Sequence, residues 1–304
     1  MLSTELIDEF ILDCRIRNLS KRTIETYEMN IGVFWRWLNI SNDFKKIEDI
    51  KKIHFKSFIL SMMEQNYKET YINTVLKAVK SFYNYLFSEN YIKVNLTLEV
   101  KLLKEPSTVI DTFNDDEVKL LLTYFKRKTF LNMRNKLIVY ILLDTGLRCA
   151  ELRSIKDAHV YENYLKVCGK GNKWRVIPIS NQLQKEIQKY RREREKYCLK
   201  LNQMSIDDTL LLTRKGKQIS TNATIEIIFR EIATNTKIRN TIRCSPHTCR
   251  HWFAKTSIKN GQDIYTLSKI LGHSNIKITQ RYIESMSSDE IIEKGLLTTP
   301  LTTF

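Results

Sequence analysis

Residues 160–179 read VYENYLKVCGKGNKWRVIPI, and within them the helical spacing that governs most of the chain gives way. Short strand-like runs are interrupted by Glu162-Asn163 and by Gly169-Lys170-Gly171-Asn172, the second carrying the signature of a hairpin tip. A small antiparallel sheet with a lysine at its turn is therefore expected. On either side the pattern is helical. Downstream, a charged helix is expected over residues 183–201, and Ser245-Pro246 marks another helix start, with serine as N-cap and proline at the first helical position. Upstream, helices run to about Leu143 from Asn114-Asp115-Asp116-Glu117, which has the form of a capping box flanked by Phe113 and Val118 as a hydrophobic staple. Those acids are thereby assigned to a helix start, not to a metal.

From Leu2 to about Phe87 apolar residues recur three and four apart, at Leu6, Phe10, Ile11 and Cys14 and then at Ile24, Tyr27, Ile31, Phe34, Trp35 and Leu38. This segment is expected to be all helical, with further helices over 55–64 and 69–87. Ser20 is positioned to cap a helix that opens on Lys21-Arg22-Thr23. A basic pair there opposes the helix macrodipole unless an anion lies nearby. Residues 90–111 lose the period and read as an extended linker. The expected organisation is a helical domain over 1–95, a linker over 96–110, and a second, mixed α/β domain over 111–304. Its tail could form a short amphipathic helix over 289–297. The fold class is mainly α with a small antiparallel β-sheet.

A chain of 304 residues that is 42% hydrophobic, with 8 Gly and 4 Pro, has the composition of a core-forming protein and excludes disorder. No uncharged apolar run approaches the roughly 18 to 20 residues of a membrane span, and the N-terminus lacks the order of a signal peptide. A cytoplasmic protein without membrane attachment is expected. The formal net charge is +16, and it is unevenly spread: residues 1–100 hold 14 basic and 13 acidic side chains, residues 101–304 hold 36 and 21. Such a surplus points to a polyanionic partner met mainly by the second domain. Six cysteines without a CxxC pair read as buried thiols of a reducing compartment.

Four segments place a cation or a histidine beside a structural break: TGLRCAEL (145–152), CGKGNKWRVIPI (168–179), SPHTCRHWFA (245–254) and LGHSNIKITQRYI (271–283). His247 and Arg250 share the first turn of a helix, beside an N-terminus that favours anions. Gly272 stops one helix, His273 occupies the junction, Ser274 is the expected cap of the next, and Tyr282 lies along it. Cys244, His247, Cys249 and His251 also spell CxxHxCxH, but 247 and 251 share a helical face from which 249 points away. A tetrahedral zinc site is therefore not expected.

The order of these blocks resembles the tyrosine recombinase family, the phage-integrase and Xer-type site-specific recombinases. The resemblance extends to SxxTxxxY at Ser20, Thr23 and Tyr27 and covers nearly the whole chain. It implies a helical core-binding (SAM-like) domain, a catalytic domain, and strand cutting and rejoining through a 3′-phosphotyrosyl intermediate. Arg148 and Arg250 would clamp the scissile phosphate, since a guanidinium grips two oxygens at once and stays protonated. Lys170, with Lys173 as its rival in the same turn, would protonate the leaving 5′-oxygen. His247 and His273 would donate to the phosphate or help take the tyrosine proton, Glu151 would orient Arg148, and Tyr282 would be the nucleophile. Lys21, Arg22, Thr23, Lys173 and Arg175 are expected DNA contacts. The resemblance implies double-stranded recombination sites as partner, homo- or heterotetramers closing around paired duplexes, and no cofactor or metal. It leaves mobile-element integration or excision and Xer-type resolution both open. The competing expectation is a DNA-binding regulator that has lost catalysis.

Overall fold

The computed structural model describes residues 5–41, 47–106, 110–169, 171–201 and 206–284. Lys170 and the tail, including the helix expected over 289–297, lie outside the described residues. The chain divides into two compact units, Met1–Thr108 and Val109–Phe304.

Four helices build the first unit: α1 (Glu5–Ile16), α2 (Lys21–Ser41), α3 (Lys52–Glu64) and α4 (Glu69–Ser88). The apolar face of α4, with Val75, Val79, Phe82, Tyr83 and Leu86 all buried, packs on Ile31, Phe34, Trp35 and Leu38 of α2. Aromatic contacts lock the centre. Phe34 stacks on Phe55 at 5.2 Å between ring centroids and meets Phe58 edge-on at 5.0 Å. Ser20 caps α2: its Oγ accepts from Thr23 N at 3.2 Å and lies 2.7 Å from Thr23 Oγ1. The segment after α4 loses helical period, as the sequence indicates, but it is fastened to this unit. Asn95 caps a 3₁₀ turn over Leu96–Glu99, Val100 is buried, and the Asn73 side chain donates to Leu103 O at 2.9 Å and accepts from Leu103 N at 2.8 Å. A single buried asparagine thus replaces the missing backbone pairing of an extended strand.

The second unit is mainly helical with one two-stranded antiparallel sheet. In chain order it comprises α5 (Asp115–Thr123), α6 (Phe130–Thr145), α7 (Cys149–Arg153), β1 (Tyr164–Cys168), β2 (Trp174–Pro178), α8 (Asn181–Lys200), α9 (Ala223–Asn235), α10 (Pro246–Lys259), α11 (Ile264–Leu271) and α12 (Lys277–Glu284). Helix α6 is apolar on nearly every side, with Leu137, Ile138, Val139, Ile141 and Leu142 all buried, which makes it the central helix. Helices α8 and α10 pack against it. The hairpin pairs Leu165 with Ile177, both buried, while Lys166 and Val176 face outward. Its tip turns through Gly171 and Asn172, both at positive φ. No described helix is long and apolar enough to cross a membrane.

Two helix starts repay comparison with the sequence. The capping box at Asn114 forms in full, Asn114 Oδ1 accepting from Glu117 N and Glu117 Oε2 from Asn114 N, each at 2.9 Å. Helix α12 begins later than Ser274 implies. Asn275 takes the capping role, its Oδ1 accepting from Lys277 N at 2.9 Å in an Asx-type turn.

Glu117 also ties the start of the unit to its later part. Arg239 donates to it from Nε, Nη2 and the backbone amide at 2.9 to 3.0 Å. Against the cost of burial, these bonds hold the carboxyl down at about 2. Arg239 is 43% exposed, so removing its partner should cost less than the roughly 3–5 kcal/mol of a fully buried pair. Glu117→Ala is expected to destabilise the second unit by about 2 kcal/mol, read from urea unfolding of the full chain. The wild-type advantage should be complete above pH ~4.5 and vanish as pH falls through about 2, because the folded state then gives up its preference for the ionised carboxyl.

Candidate active site

Two helices of the second unit end on glycine in the left-handed conformation, and their last carbonyls become arginine acceptors. Helix α6 ends at Gly146 (φ +61°) and α11 at Gly272 (φ +64°). Arg250, on α10 and 5% exposed, donates from Nη1 to Gly146 O at 2.7 Å and from Nη2 to Leu271 O at 2.8 Å. Arg148, the residue before α7, donates from Nη1 to Leu271 O at 3.2 Å and Gly272 O at 3.5 Å. Arg175, on β2, donates from Nε to Ile270 O at 2.7 Å. Three guanidinium groups therefore meet the carbonyl end of one helix, where the macrodipole is negative and the orphan acceptors lie.

Glu151 completes the charge balance. It accepts two parallel bonds from Arg175 at 2.9 Å each, and from Arg148 through the backbone amide at 3.0 Å and Nη1 at 3.3 Å. Although burial opposes it, these donors keep the carboxyl below its ordinary range. Glu151 is thus in direct contact with Arg148, the residue it is expected to orient. Arg175, expected as a DNA contact, has its guanidinium committed to Glu151 and Ile270, with 13% of the side chain exposed. Lys173 is exposed on the hairpin, and Lys21 and Arg22 are exposed at the start of α2 in the other unit.

Arg148 is the open member of the cluster: 42% of its side chain is exposed, and among the described residues Nε and Nη2 have no acceptor. Arg250 lies deeper. Burial, and then the charge of Arg148, push its pKa down to about 10, which leaves it protonated at neutral pH. Both line a cavity of about 470 Å³ with His247, His251 and Arg243. His247 sits exposed on the first turn of α10, one helical turn before His251. Partial burial within the cavity, and then the nearby arginines, lower its pKa.

His273 follows Gly272 and is held from both sides. Arg250 Nη2 lies 2.8 Å from its Nε2, and Thr279 Oγ1 lies 2.7 Å from its Nδ1. A guanidinium only donates, so Nε2 carries the lone pair and Nδ1–H donates to the fully buried Thr279. In this state the Nε2 face accepts; to donate to a phosphate oxygen it must first part from Arg250. Burial, then Arg250, Arg148 and Arg175, push the imidazole down to about 4.

Tyr282, on α12, is 3% exposed and packs with Ala254, Ile258, Leu267 and Leu271. Its Oη lies 3.0 Å from His251 Nδ1. Burial raises the phenol above its ordinary range, partly countered by Arg250, Arg148 and Arg281. His251 is the member of the site that sequence reasoning missed. The available signal was its place on α10 one helical turn after His247, the same helical face. Cys249 of the CxxHxCxH string is wholly buried in the core of the unit. Among the described residues no cluster of three His, Cys, Asp or Glu side chains could hold a metal ion.

A helical N-terminal unit, a helical second unit with one hairpin, and an arginine cluster beside a buried tyrosine on the last described helix together define a tyrosine recombinase. Residues 111–288 match the phage integrase family and residues 6–93 its N-terminal SAM-like domain, and the chain belongs to the phage integrase family. It is 27% identical over 279 residues to the tyrosine recombinase XerD of Oceanobacillus iheyensis, covering 91% of this chain and 92% of that protein. It is 28% identical over 268 residues to the tyrosine recombinase XerC of Bacillus pumilus, covering 88% and 87%. Among solved structures, the XerH site-specific recombinase in a post-cleavage complex with palindromic difH substrate has a TM-score of 0.74 at 19% identity, covering 93% of this chain and 82% of that one. The Tn1549 transposon integrase with transposon right-end DNA has a TM-score of 0.73 at 18% identity, covering 97% and 99%. These two likenesses are of fold. The protein is a tyrosine site-specific recombinase.

The contacts of His273 make a spectroscopic prediction. Nitrogen NMR of the histidine rings should find it as the Nδ1–H tautomer, neutral until the pH nears 4. Because His247, His251 and His273 are all held below their ordinary value, folding stability should be greatest above pH ~6.5 and decline as pH falls toward 4.

Proposed function

We propose that this recombinase cuts double-stranded DNA by attack of Tyr282 Oη on a phosphodiester seated between Arg148 and Arg250. The observation that supports it most is the shared cavity: Arg148, Arg250 and His247 are among its lining, and the phenol of Tyr282 is bonded to His251 on its wall. Attack forms the Oη–P bond and breaks the bond to the 5′-oxygen, leaving a 3′-phosphotyrosyl link and a free 5′-hydroxyl. Negative charge grows on the non-bridging oxygens as this happens. Arg148, with unused donors facing solvent, meets that charge as it stands, and Arg250, held by Gly146 and Leu271, meets it by turning Nη2 away from His273.

The phosphate would compete with His273 for Arg250. Once Nη2 turns to an oxygen, His273 is released to make its own contact, so arrival of the substrate would rearrange the pair. Lys170 protonates the leaving 5′-oxygen in this scheme. That role rests on the GKGNK motif, and the exposed Lys173 is the alternative donor. Rejoining is the reverse, with the 5′-hydroxyl of a partner strand attacking the phosphotyrosyl group. Bond energy is kept in the ester, and the chemistry has no step that calls for ATP.

Relatives and fold neighbours support DNA as the partner: the XerH and Tn1549 structures are DNA complexes, and a lambda integrase dimer of similar fold is bound to a core site. We further infer that the helical unit, through Lys21, Arg22 and Thr23, and the second unit, through Lys173 and Arg175, both contact the duplex, Arg175 from behind Glu151. Domain limits near 1–95 and 111–304, a tetramer on paired sites, and action within the cytoplasm follow from the same reading.

Tyr282→Phe should bind the site almost as wild type and form no covalent complex with a nicked suicide substrate; covalent trapping by that variant would remove Tyr282 from the mechanism. Arg148→Lys should lower the cleavage rate by at least about 100-fold, since an ammonium cannot make the bidentate grip. A rate close to wild type, measured on the same substrate, would exclude the clamp. A regulator without catalysis would leave both variants indistinguishable from a wild type that traps nothing.

A further inference from the structure

We infer that His251 is a catalytic residue of the strand-cutting reaction, the group that takes the proton from Tyr282 as its oxygen attacks and returns it when the strand is rejoined. The inference rests on Tyr282 being the nucleophile, and it goes further by naming the proton's destination. Three observations carry it. The Nδ1 atom of His251 lies 3.0 Å from Tyr282 Oη, within reach for direct transfer. The same imidazole lines the cavity shared by Arg148, His247 and Arg250, so acceptor and phosphate site adjoin. Of the two other histidines, His247 has its ring centre 6.4 Å from that of His251, the ring that contacts Tyr282 Oη, and His273 has Nδ1 on Thr279 and Nε2 on Arg250, so both its nitrogens are occupied in this state.

The balance of the step is simple. With its hydrogen on Nε2, His251 accepts from the phenol through Nδ1. As Oη–P forms, the O–H electrons move to the new bond, Nδ1 takes the proton, and the 5′-oxygen departs with a proton from the hairpin lysine. In rejoining, Oη–P breaks, and the protonated imidazole returns its proton to the phenolate oxygen. The surroundings keep the ring in its accepting form. Burial, followed by His247 and Arg250 on its own helix and Arg281 on α12, all lower its pKa. The phenol is raised by burial, and Arg250, Arg148 and Arg281 act against that rise. Glu226 on α9 reaches the cavity and acts on His247 in the opposite sense.

The test uses the full chain and a duplex selected from a random pool by binding to it, synthesised with a bridging 5′-phosphorothiolate at the scissile position. A thiolate leaves without a general acid, so the measurement isolates the tyrosine side from Lys170. His251→Phe should form the covalent complex about 100-fold more slowly at pH 7, and its deficit should shrink as pH rises and the phenol ionises unaided. His251→Asn keeps a hydrogen-bond acceptor near the position of Nδ1 but not its basicity, and should show the same deficit and the same rescue. An Asn variant at the wild-type rate would reduce the residue to a hydrogen-bond partner and overturn the inference, as would a deficit that does not change with pH. If the Phe variant fails to bind the duplex and so to fold, the Asn variant decides alone. Tyr282→Phe serves as the control on the underlying reading. If it still traps the duplex, that reading fails; if it is inert while His251→Asn is unimpaired, only the proton acceptor is refuted.

Discussion

The carbonyl end of α11 is the constraint on which the catalytic unit depends. Ile270, Leu271 and Gly272 offer acceptors that no helical turn can use, and Arg175, Arg250 and Arg148 take them. Like charges gathered at one helix end repel one another. One carboxylate, Glu151, and one helix pole offset that repulsion before any phosphate arrives. The arginines are consequently held in place around one carboxylate, and three guanidinium charges against a single Glu151 leave the cluster with an excess of positive charge.

The same arrangement explains how the two halves of the site stay in register. Arg148 comes from the α6–α7 junction, Arg175 from the hairpin, Arg250 from α10, and His273 and Tyr282 from the segment after α11. Each of these elements is joined to the others by a bond through the cluster, and the apolar core beneath it is built on α6. The small patch around Tyr282 is separate from that core, a few apolar side chains of α10, α11 and α12.

Much of this was legible in the residues. The hairpin at 160–179, the capping box at Asn114, the helix start at Ser245-Pro246 and the stop at Gly272 each have a local cause, and local causes can be read from a string. The chemistry-bearing residues Arg148, His247, Arg250, His273 and Tyr282 were legible through the order of their motif blocks, which resembles that of the tyrosine recombinases. What could not be read is long-range. Nothing in a sequence separation of 95 says that Arg175 reaches Ile270, and nothing between Arg250 and His273 reveals that they share one proton-free nitrogen. Asn275 displaced Ser274 as a cap for a reason of geometry, the delayed start of α12. His251 could not be read from the string because its contact with Tyr282, 31 residues on, is fixed only by the packing of α10 against α12.

The left-handed positions carry an evolutionary corollary. At Asn18, Asn66, Asn90 and Asn172 this chain accepts asparagine at positive φ, so its lineage has had ready access to that substitute. At Gly272 a Cβ would come within 3.0 to 3.1 Å of the Arg175 guanidinium, and at Gly146 within 2.5 Å of the Phe253 ring. Torsional freedom alone would have allowed these two sites to drift to asparagine. Steric volume opposes it at Gly146, and at Gly272 the Arg175 guanidinium, held by Glu151 and Ile270, would have to give by a few tenths of an ångström, so glycine is favoured at both wherever the arginine cluster is kept.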